Sequence, residues 1–293
     1  MQTFQRNTLP SEAYLEIKLA VLARWDRFQA RMQRARLAER FRDVEVFCMF
    51  IGYPRSGHSV VGSLIDAHPD AITAHRLNSL KYIELGDPFE QVLQMALLNA
   101  MRFDRDGRKL TAYSYAIDGL WQGRYRRLRV VCDQEGERNV LAIARNPALL
   151  DRLRSQTHCD VRFIHVVRNC YDNITTMAIR SLQKLEPTSQ RYFALCDLVT
   201  AAKKQLPPES VLDISHEDLI AHPDREIGRF AGFLGLPLDD EYVARCKSVL
   251  HPSPHCSRDK LPWTEELIDS VSRRAAAYPW LAGYRYRERE SQT

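Results

Sequence analysis

A short apolar run, a glycine-containing loop and a helical pattern follow one another between residues 45 and 67, and this succession constrains the fold more than any other feature. Residues 45–51, EVFCMFI, are mostly apolar, with β-branched and aromatic side chains typical of a strand buried on both faces. The loop GYPRSGHS follows at 52–59, and SVVGSLIDA at 59–67 resumes with helical spacing. A strand that enters a helix through such a loop indicates an α/β protein with a phosphate site.

The loop departs from the triphosphate-binding pattern at one position. It matches the spacing G-x-x-x-x-G-K-[S/T] except that His58 stands where the lysine belongs. In nucleotide triphosphatases that lysine reaches the β- and γ-phosphates, and its loss normally removes activity. Either the loop no longer works, or it binds an anion other than a triphosphate.

Further strands and helices alternate along the chain. The buried-strand candidates are 128–132, 160–167 and 210–215, and the helical patterns between and after them include 140–155, 170–184, 188–206 and 223–234. This alternation predicts a parallel sheet with helices on both faces, of the P-loop-containing nucleotide-binding type. Residues 84–127 are less regular and rich in aromatic and basic residues, which predicts an insertion or a lid.

The N-terminal segment reads as a helical extension. We predict one long helix over 11–43 that begins at Ser11 and has a broad apolar face. Its second half is rich in arginine, which favours a solvated face over a surface that binds an anionic membrane or partner. The predicted domains are therefore an extension at 1–43 and an α/β domain at 44–293.

Composition and net charge limit which classes of ligand and partner the chain is expected to bind. A net charge of +5 over 293 residues favours an anionic ligand but falls short of a nucleic-acid-binding protein. The seven cysteines are scattered without a C-x-x-C pair, and we expect neither a disulfide framework nor a metal site, even where His251, His255 and Cys256 lie close together. No signal peptide or membrane-spanning run of about 18 apolar residues is recognisable, so a cytoplasmic protein is expected.

A second strand-to-helix junction carries another candidate anion site. The predicted strand at 160–167 runs directly into Arg168, and Thr176 follows eight residues later, within the next predicted helix. A guanidinium at a strand end can bind two phosphate oxygens, and a hydroxyl can add a third contact. The alternative is that Arg168 pairs with Asp172 and Thr176 only packs. Two anion sites on one sheet edge favour a ligand with two separated anionic groups.

Together these segments resemble the sulfotransferase family, whose donor is 3′-phosphoadenosine 5′-phosphosulfate (PAPS). The family's first motif, approximately Y-P-K/R-S-G-T-T/S, is similar to residues 53–59, YPRSGHS. Its second, R-N-P-x-D-x-x-x-S/T, is similar to 168–176, RNCYDNITT, and its "E-D-L … F-L-G-L" segment to 215–237. The resemblance covers about 45–286. Three departures are His58 for threonine, Cys170 for proline, and a stretch at 130–138 that differs from the family's G-D-K-x-G.

The resemblance implies a donor site that needs no loop lysine and no metal, because PAPS has no γ-phosphate. The residues it implies for donor binding are Arg55, Ser56, Gly57, His58, Ser59, Val60, Arg168 and Thr176, with Arg258 or Lys260 from a basic loop at 257–263 as additional phosphate contacts. Arg55 would also stabilise the leaving phosphate.

The resemblance places the catalytic base soon after the first helix, within HPDAITAHRLN at 68–78. His75 follows the short candidate strand AITA, and its unperturbed pKa near 6.5 suits a base at neutral pH. The alternatives are a structural role for His75 and His58 as the base.

Two other functions stay open at this point. A kinase or triphosphatase would require an acidic metal ligand such as Asp133, and a degenerate member would bind a nucleotide or a partner without turnover. The acceptor is expected to be a small molecule, carbohydrate or lipid with a hydroxyl or amine, bound by variable loops. A homodimer is compatible with the sequence.

Overall fold

A computed structural model describes residues 12–110 and 113–287. Five strands form one sheet in the order β2-β5-β1-β6-β7, and every neighbouring pair is parallel. The strands are β1 (Val46–Ile51), β2 (Ala71–Ala74), β5 (Val130–Asp133), β6 (Asp160–Val167) and β7 (Val211–Ser215). Two short strands, β3 (Lys109–Leu110) and β4 (Tyr113–Ser114), pair antiparallel outside it. The predicted parallel sheet with helices on both faces is confirmed.

The central strand β1 shows why both faces must be covered. All six of its residues are buried, and the side chains alternate between two cores. Phe47, Met49 and Ile51 belong to the larger core, whereas Val46, Cys48 and Phe50 belong to the smaller one. A strand buried on both faces gives a continuous apolar run, the signal that predicted it.

Thirteen helices occur within the described ranges. Those before the second motif are α1 (Glu12–Met32), α2 (Leu37–Arg40), α3 (His58–Asp66), α4 (Ser79–Glu84), α5 (Phe89–Arg105), α6 (Gly136–Arg145) and α7 (Ala148–Gln156). The later ones are α8 (Cys170–Ser181), α9 (Leu185–Lys203), α10 (His216–Ala221), α11 (Pro223–Leu234), α12 (Asp240–Ser248) and α13 (Glu265–Ala275). None of the described helices is long and apolar enough to cross a membrane.

Two predicted helices are interrupted. The helix predicted over 11–43 ends at Met32 and is followed by a short 3₁₀ turn and α2, while Ser11 lies outside the described residues. The pattern at 140–155 is divided into α6 and α7 at Asn146 and Pro147. Proline disfavours helical backbone in the residue before it, and Asn146 accordingly has φ −142° and ψ 85°.

The segment at 84–127 is more regular than predicted. It contains the 17-residue helix α5, whose buried side chains include Val92, Leu93 and Ala96. This helix packs on β2 and on α1 and belongs to the core of the domain. The prediction of a less regular segment is therefore wrong for 89–105, whereas the described residues of 106–127 contain only the short strands β3 and β4. The division of the chain at residue 43 stays a prediction.

Candidate functional site

The carboxyl ends of the five parallel strands bring the candidate residues to one edge of the sheet. In sheet order, the residues that follow the strands are His75 after β2, Gln134 after β5, the loop from Gly52 after β1, Arg168 after β6 and His216 after β7. Parallel α/β sheets bind ligands at this edge. The topology therefore places the two motifs side by side, because β1 and β6 are neighbours.

The loop after β1 has the backbone of an anion cradle. Arg55 and Gly57 both have left-handed backbones, with φ of 70° and 114°. A Cβ on Gly57 would lie 2.6 Å from Cδ2 of His216, so glycine is required there for space as well as for conformation. The helix α3 begins immediately afterwards at His58. The N–H groups of its first turn and its positive dipole end therefore favour an anion at this loop.

The second motif supports the loop directly. The side-chain amide of Asn173, fully buried in α8, donates a hydrogen bond of 2.9 Å to the carbonyl of Pro54. Asn169 caps α8 by accepting from the N–H of Tyr171 at 3.0 Å. The two motifs thus form one hydrogen-bonded unit rather than two independent loops.

The imidazole of His58 fills space between two glycines. A Cβ on Gly136 would lie 2.3 Å from Cε1 of His58, and one on Gly52 would lie 3.1 Å from Nε2. The ring also meets Phe50 edge-on, with centroids 5.7 Å apart. Burial lowers the pKa of His58 to about 3, with a smaller contribution from His165. The imidazole is therefore neutral at physiological pH and does not replace the charge of a loop lysine.

Arg55 lies among other cations at the edge of the sheet. Burial lowers the pKa of Arg55, and the charge of Arg180 on α8 and, more weakly, that of Arg168 act in the same direction. Its Nε is buried and finds no hydrogen-bond partner within the described ranges, and the same holds for the hydroxyl of Ser56. Buried donors of this kind next to like charges favour an anionic ligand.

Arg168 is held by the loop at 255–257. Its Nη2 donates to the carbonyl of His255 at 2.5 Å and lies 3.3 Å from Oγ of Ser257. The alternative in which Arg168 pairs with Asp172 is wrong, because that carboxylate binds elsewhere. It accepts from the N–H groups of Ser257 and Arg258 at 2.6 and 2.8 Å and pairs with the Arg258 guanidinium at 3.2 Å.

The other residues predicted to bind PAPS differ in how many hydrogen bonds they already make within the protein. The Thr176 hydroxyl donates to the carbonyl of Asp172 at 2.8 Å, which leaves its oxygen as an acceptor only. Arg258 is 5% exposed, and besides pairing with Asp172 it donates to the carbonyls of Arg285 and Tyr286 at 2.7 and 3.0 Å. Lys260 is exposed and lies 2.6 Å from Nε2 of His255. The ion pair and the hydrogen bonds of Arg258 hold the loop at 257–263 in place. A contact between Arg258 and a phosphate stays a prediction.

His75 is packed into the protein. Its ring stacks on Phe103 with the centroids 4.3 Å apart. Its backbone N–H donates a hydrogen bond of 2.6 Å to the side-chain oxygen of Asn99. Nδ1 lies 3.3 Å from the amide nitrogen of Gln134, which also donates to Ser59 at 3.0 Å. Burial, reinforced by Arg76, lowers the pKa of His75 to about 3. The side chain is neutral at physiological pH and belongs to the same network as the loop.

The two carboxylates at the end of β5 and just after it, Asp133 and Glu135, make different contacts. Asp133, the candidate metal ligand of a triphosphatase, accepts from the N–H of Ser79 at 2.6 Å and so holds the turn that follows β2. Glu135 is 7% exposed, and burial raises its pKa to about 7, partly offset by Arg138 and Arg76 at 4.0 Å. A surface cavity of about 370 Å³ lies beside this turn, and it includes none of the predicted site residues.

The comparisons with known proteins agree with this geometry. A model of the sulfotransferase family matches residues 48–240, about two thirds of the chain, including both motifs and most of the sheet. The chain belongs to the sulfotransferase family. No curated protein matches it.

Two solved sulfotransferase structures have a fold similar to that of this chain. The sulfotransferase domain of the olefin synthase from Synechococcus PCC 7002 has a TM-score of 0.50 at 15% identity, covering 80% of this chain and 94% of that one. The sulfotransferase STF1 from Mycobacterium tuberculosis H37Rv has a TM-score of 0.52 at 14% identity, covering 91% and 86%. At such identities the likeness shows the fold alone.

Several residues of the candidate site were not predicted from the sequence. Arg180 and Tyr115 act on Arg55 electrostatically, and Tyr115 also interacts with Ser59. His216 lies against Gly57, and burial, followed by the charge of Arg168, lowers its pKa to about 4. The position of His216 directly after a strand was a usable signal, since a polar residue directly follows four of the five strands of this sheet.

Proposed function

We propose that this sulfotransferase moves a sulfuryl group from PAPS to a hydroxyl or amine of a small-molecule, carbohydrate or lipid acceptor. The observation that carries the proposal is the pair of arginines at neighbouring strand ends, Arg55 after β1 and Arg168 after β6. PAPS has two separated anionic groups, and each arginine serves one of them. The absence of a loop lysine is then expected, because there is no γ-phosphate to bind.

The 5′-phosphosulfate is assigned to the loop between Gly52 and Val60. Its ligands are the N–H groups at the start of α3, the Ser56 hydroxyl and the Arg55 guanidinium. The His58 side chain is neutral and packed between glycines, so His58 contributes through its backbone. The 3′-phosphate is assigned to Arg168. The loop at 255–257 contacts Arg168, and the ion pair between Arg258 and Asp172 holds this loop in place.

Sulfuryl transfer proceeds by in-line displacement at sulfur. A bond forms between sulfur and the acceptor oxygen or nitrogen, the bond to the bridging oxygen breaks, and the electron pair leaves on the 5′-phosphate of 3′-phosphoadenosine 5′-phosphate (PAP). Arg55 stabilises the charge that grows on the bridging oxygen, and the site aligns donor and acceptor. The acceptor proton passes to a base.

His75 is the proposed base. Since burial lowers its pKa to about 3, that role requires ligand binding to raise the pKa towards neutrality, and it requires Nε2 to be free of its proton. With Gln134 oriented to donate to Nδ1, the proton of the neutral ring resides on Nε2, which then cannot accept another. If the Gln134 amide is turned so that its oxygen accepts from Nδ1–H, Nε2 becomes the acceptor. Nε2 has no hydrogen-bond partner among the described residues, but it is buried, so an acceptor hydroxyl can bond to it only after neighbouring side chains move.

A second candidate function is donor binding without turnover. It is favoured by one observation: His75 is only 6% exposed and is stacked on Phe103, so an acceptor must displace neighbours to reach it. In that case the chain would bind PAPS and PAP equally and release no PAP from PAPS.

A transfer assay separates the two candidates. Wild type, Arg55→Ala, His75→Asn and the surface control Arg154→Ala are incubated with PAPS and a panel of hydroxyl and amine acceptors, and PAP formation is measured. Acceptor-dependent PAP formation that is lost in Arg55→Ala and kept in Arg154→Ala supports the enzyme. PAPS binding without PAP formation across the panel supports the second candidate.

A further inference from the structure

Four large apolar side chains within residues 21–32 of helix α1 are exposed. Val21, Trp25, Phe28 and Met32 are 59%, 57%, 54% and 72% exposed. At 100° per residue they span an arc of about 60°, so they form one continuous stripe along the helix. We call these four residues the α1 stripe. Single exposed apolar residues are ordinary, but a continuous stripe that includes tryptophan and phenylalanine marks an interaction surface.

The orientation of the stripe is fixed by the opposite face of the helix. Asp26 and Ala30 are buried, and Asp26 forms an ion pair with Arg102 of α5. Arg27 lies 2.6 Å from the buried carboxylate of Asp87. Rotating α1 to bury the stripe would break both ion pairs and strand two buried carboxylates, which is strongly unfavourable. The stripe therefore faces outward as part of the fold.

The stripe is bordered by positive charge. Arg24 and Arg31 lie on one side of it, and Arg34 and Arg36 follow it in the 3₁₀ turn; all four are exposed. The acidic side chains near the stripe are paired with arginines. Asp26 pairs with Arg102, and Asp87 pairs with Arg27 and Arg31. Glu39 and Asp43, which follow the 3₁₀ turn, pair with Arg42 and Arg127, so the surface beside the stripe keeps an excess of positive charge. An aromatic and aliphatic stripe beside arginines is the composition of a helix that lies in a membrane interface.

We propose that the α1 stripe docks on the surface of an anionic lipid bilayer, with Trp25 and Phe28 inserted at the level of the headgroups and the arginines in contact with lipid phosphates. A second copy of the chain fits less well. It would bring the same arginines together, and a stripe of about 17 Å on one helix of about 10 Å width buries far less than the ~1,200 Å² of a stable interface.

Vesicle co-sedimentation of the full chain tests this proposal. The vesicles are phosphatidylcholine alone or phosphatidylcholine with phosphatidylserine, each at low and at physiological salt. The variants are Trp25→Gln/Phe28→Gln, Arg24→Gln/Arg34→Gln, and the control Val249→Gln, an apolar residue elsewhere that is 45% exposed. We expect binding to anionic vesicles only, weakened at least about tenfold by each double variant and unchanged by the control, because insertion and charge both contribute.

Two further readouts make the proposal falsifiable. Trp25 fluorescence, taken as the difference between wild type and Trp25→Phe, should shift to the blue with anionic vesicles and be quenched by brominated acyl chains. Failure of wild type to bind anionic vesicles would overturn the proposal, and so would equal binding by wild type and Trp25→Gln/Phe28→Gln. So would a dimer in sedimentation velocity that this double variant dissociates, since the stripe would then be covered by a second copy.

Discussion

Asp172 forms an ion pair with Arg258 at 3.2 Å, and the same carboxylate accepts hydrogen bonds from two backbone N–H groups of the loop that carries Arg258. The sequence offers Asp172 as an ion-pair partner for Arg168. The carboxylate of Asp172 instead holds the loop that contains Arg258 against the second motif. That loop supplies the acceptors that hold Arg168, the carbonyl of His255 and the hydroxyl of Ser257. The proposed donor site therefore consists of three separate segments.

Releasing this loop should weaken donor binding. Asp172→Ala removes the ion pair and the oxygen that accepts from both N–H groups. The loop then no longer orients Arg168, and we expect PAP affinity to fall about tenfold or more. Calorimetric titration with PAP measures this. Asp259→Ala, an exposed acid next to Arg258 in the chain, is the matched control and should leave affinity unchanged. Equal affinities in wild type and Asp172→Ala would show that the loop has no part in the donor site.

Arg55 should matter more for turnover than for binding. Its guanidinium would stabilise charge that develops only as the bridging bond breaks, so Arg55→Ala should lower kcat by about 10²- to 10³-fold, and Arg55→Lys by less. Steady-state kinetics with PAPS and PAP binding are measured on the same samples. A loss of PAP affinity with unchanged kcat would assign Arg55 to ground-state binding instead.

His58 and Gly136 should be coupled. A Cβ on Gly136 would lie 2.3 Å from Cε1 of His58, so Gly136→Ala forces the imidazole to move and should cost about 1–3 kcal/mol in the free energy of unfolding. In a His58→Ser background the clash is gone, and Gly136→Ala should cost little. The urea unfolding of the four proteins gives this double-mutant cycle. Additive effects would mean that His58 does not occupy this position.

The neutrality of His75 predicts a pH dependence of stability. Its folded pKa of about 3 lies below its unfolded value of about 6.5, so between these values the unfolded chain binds more protons. The stability from a neutral, buried His75 is complete above about pH 6.5 and is lost as the pH falls. Between pH 6.5 and 5, wild type should lose about 1–2 kcal/mol more than His75→Asn. Parallel stability curves in urea unfolding would mean that the ring is accessible to water.

The sequence is most informative where the signal is local. The buried strand β1, its loop and α3 adjoin in the chain, and continuous burial of Val46–Ile51 on both faces produces the apolar run. Arg168 could likewise be placed at a strand end, next to the loop. The motif residues in contact through Asn173 and Pro54 are 119 positions apart, and only the neighbouring strands β1 and β6 bring them together.

Long-range partners account for what the sequence could not provide. Asp172 meets Ser257 across 85 positions, and no periodicity indicates that contact. The apolar pattern of α1 predicts a buried face, but Asp26 and Ala30 face the core while Trp25 and Phe28 are exposed. There the buried ion pairs, rather than hydrophobicity, decide the orientation of the helix. The break before Pro147 had a local cause and could have been predicted.

The most direct test of the two-anion site is calorimetric binding of PAP to wild type and to Arg168→Ala without magnesium, with adenosine monophosphate as the competitor that lacks the 3′-phosphate. Arg154→Ala serves as control, and thermal unfolding verifies that each variant is folded. We predict tight PAP binding by wild type, a loss of at least about tenfold in Arg168→Ala, and weak adenosine monophosphate binding that Arg168→Ala does not change. Failure of wild type to bind PAP, or equal binding of PAP and adenosine monophosphate, would contradict the proposed donor site.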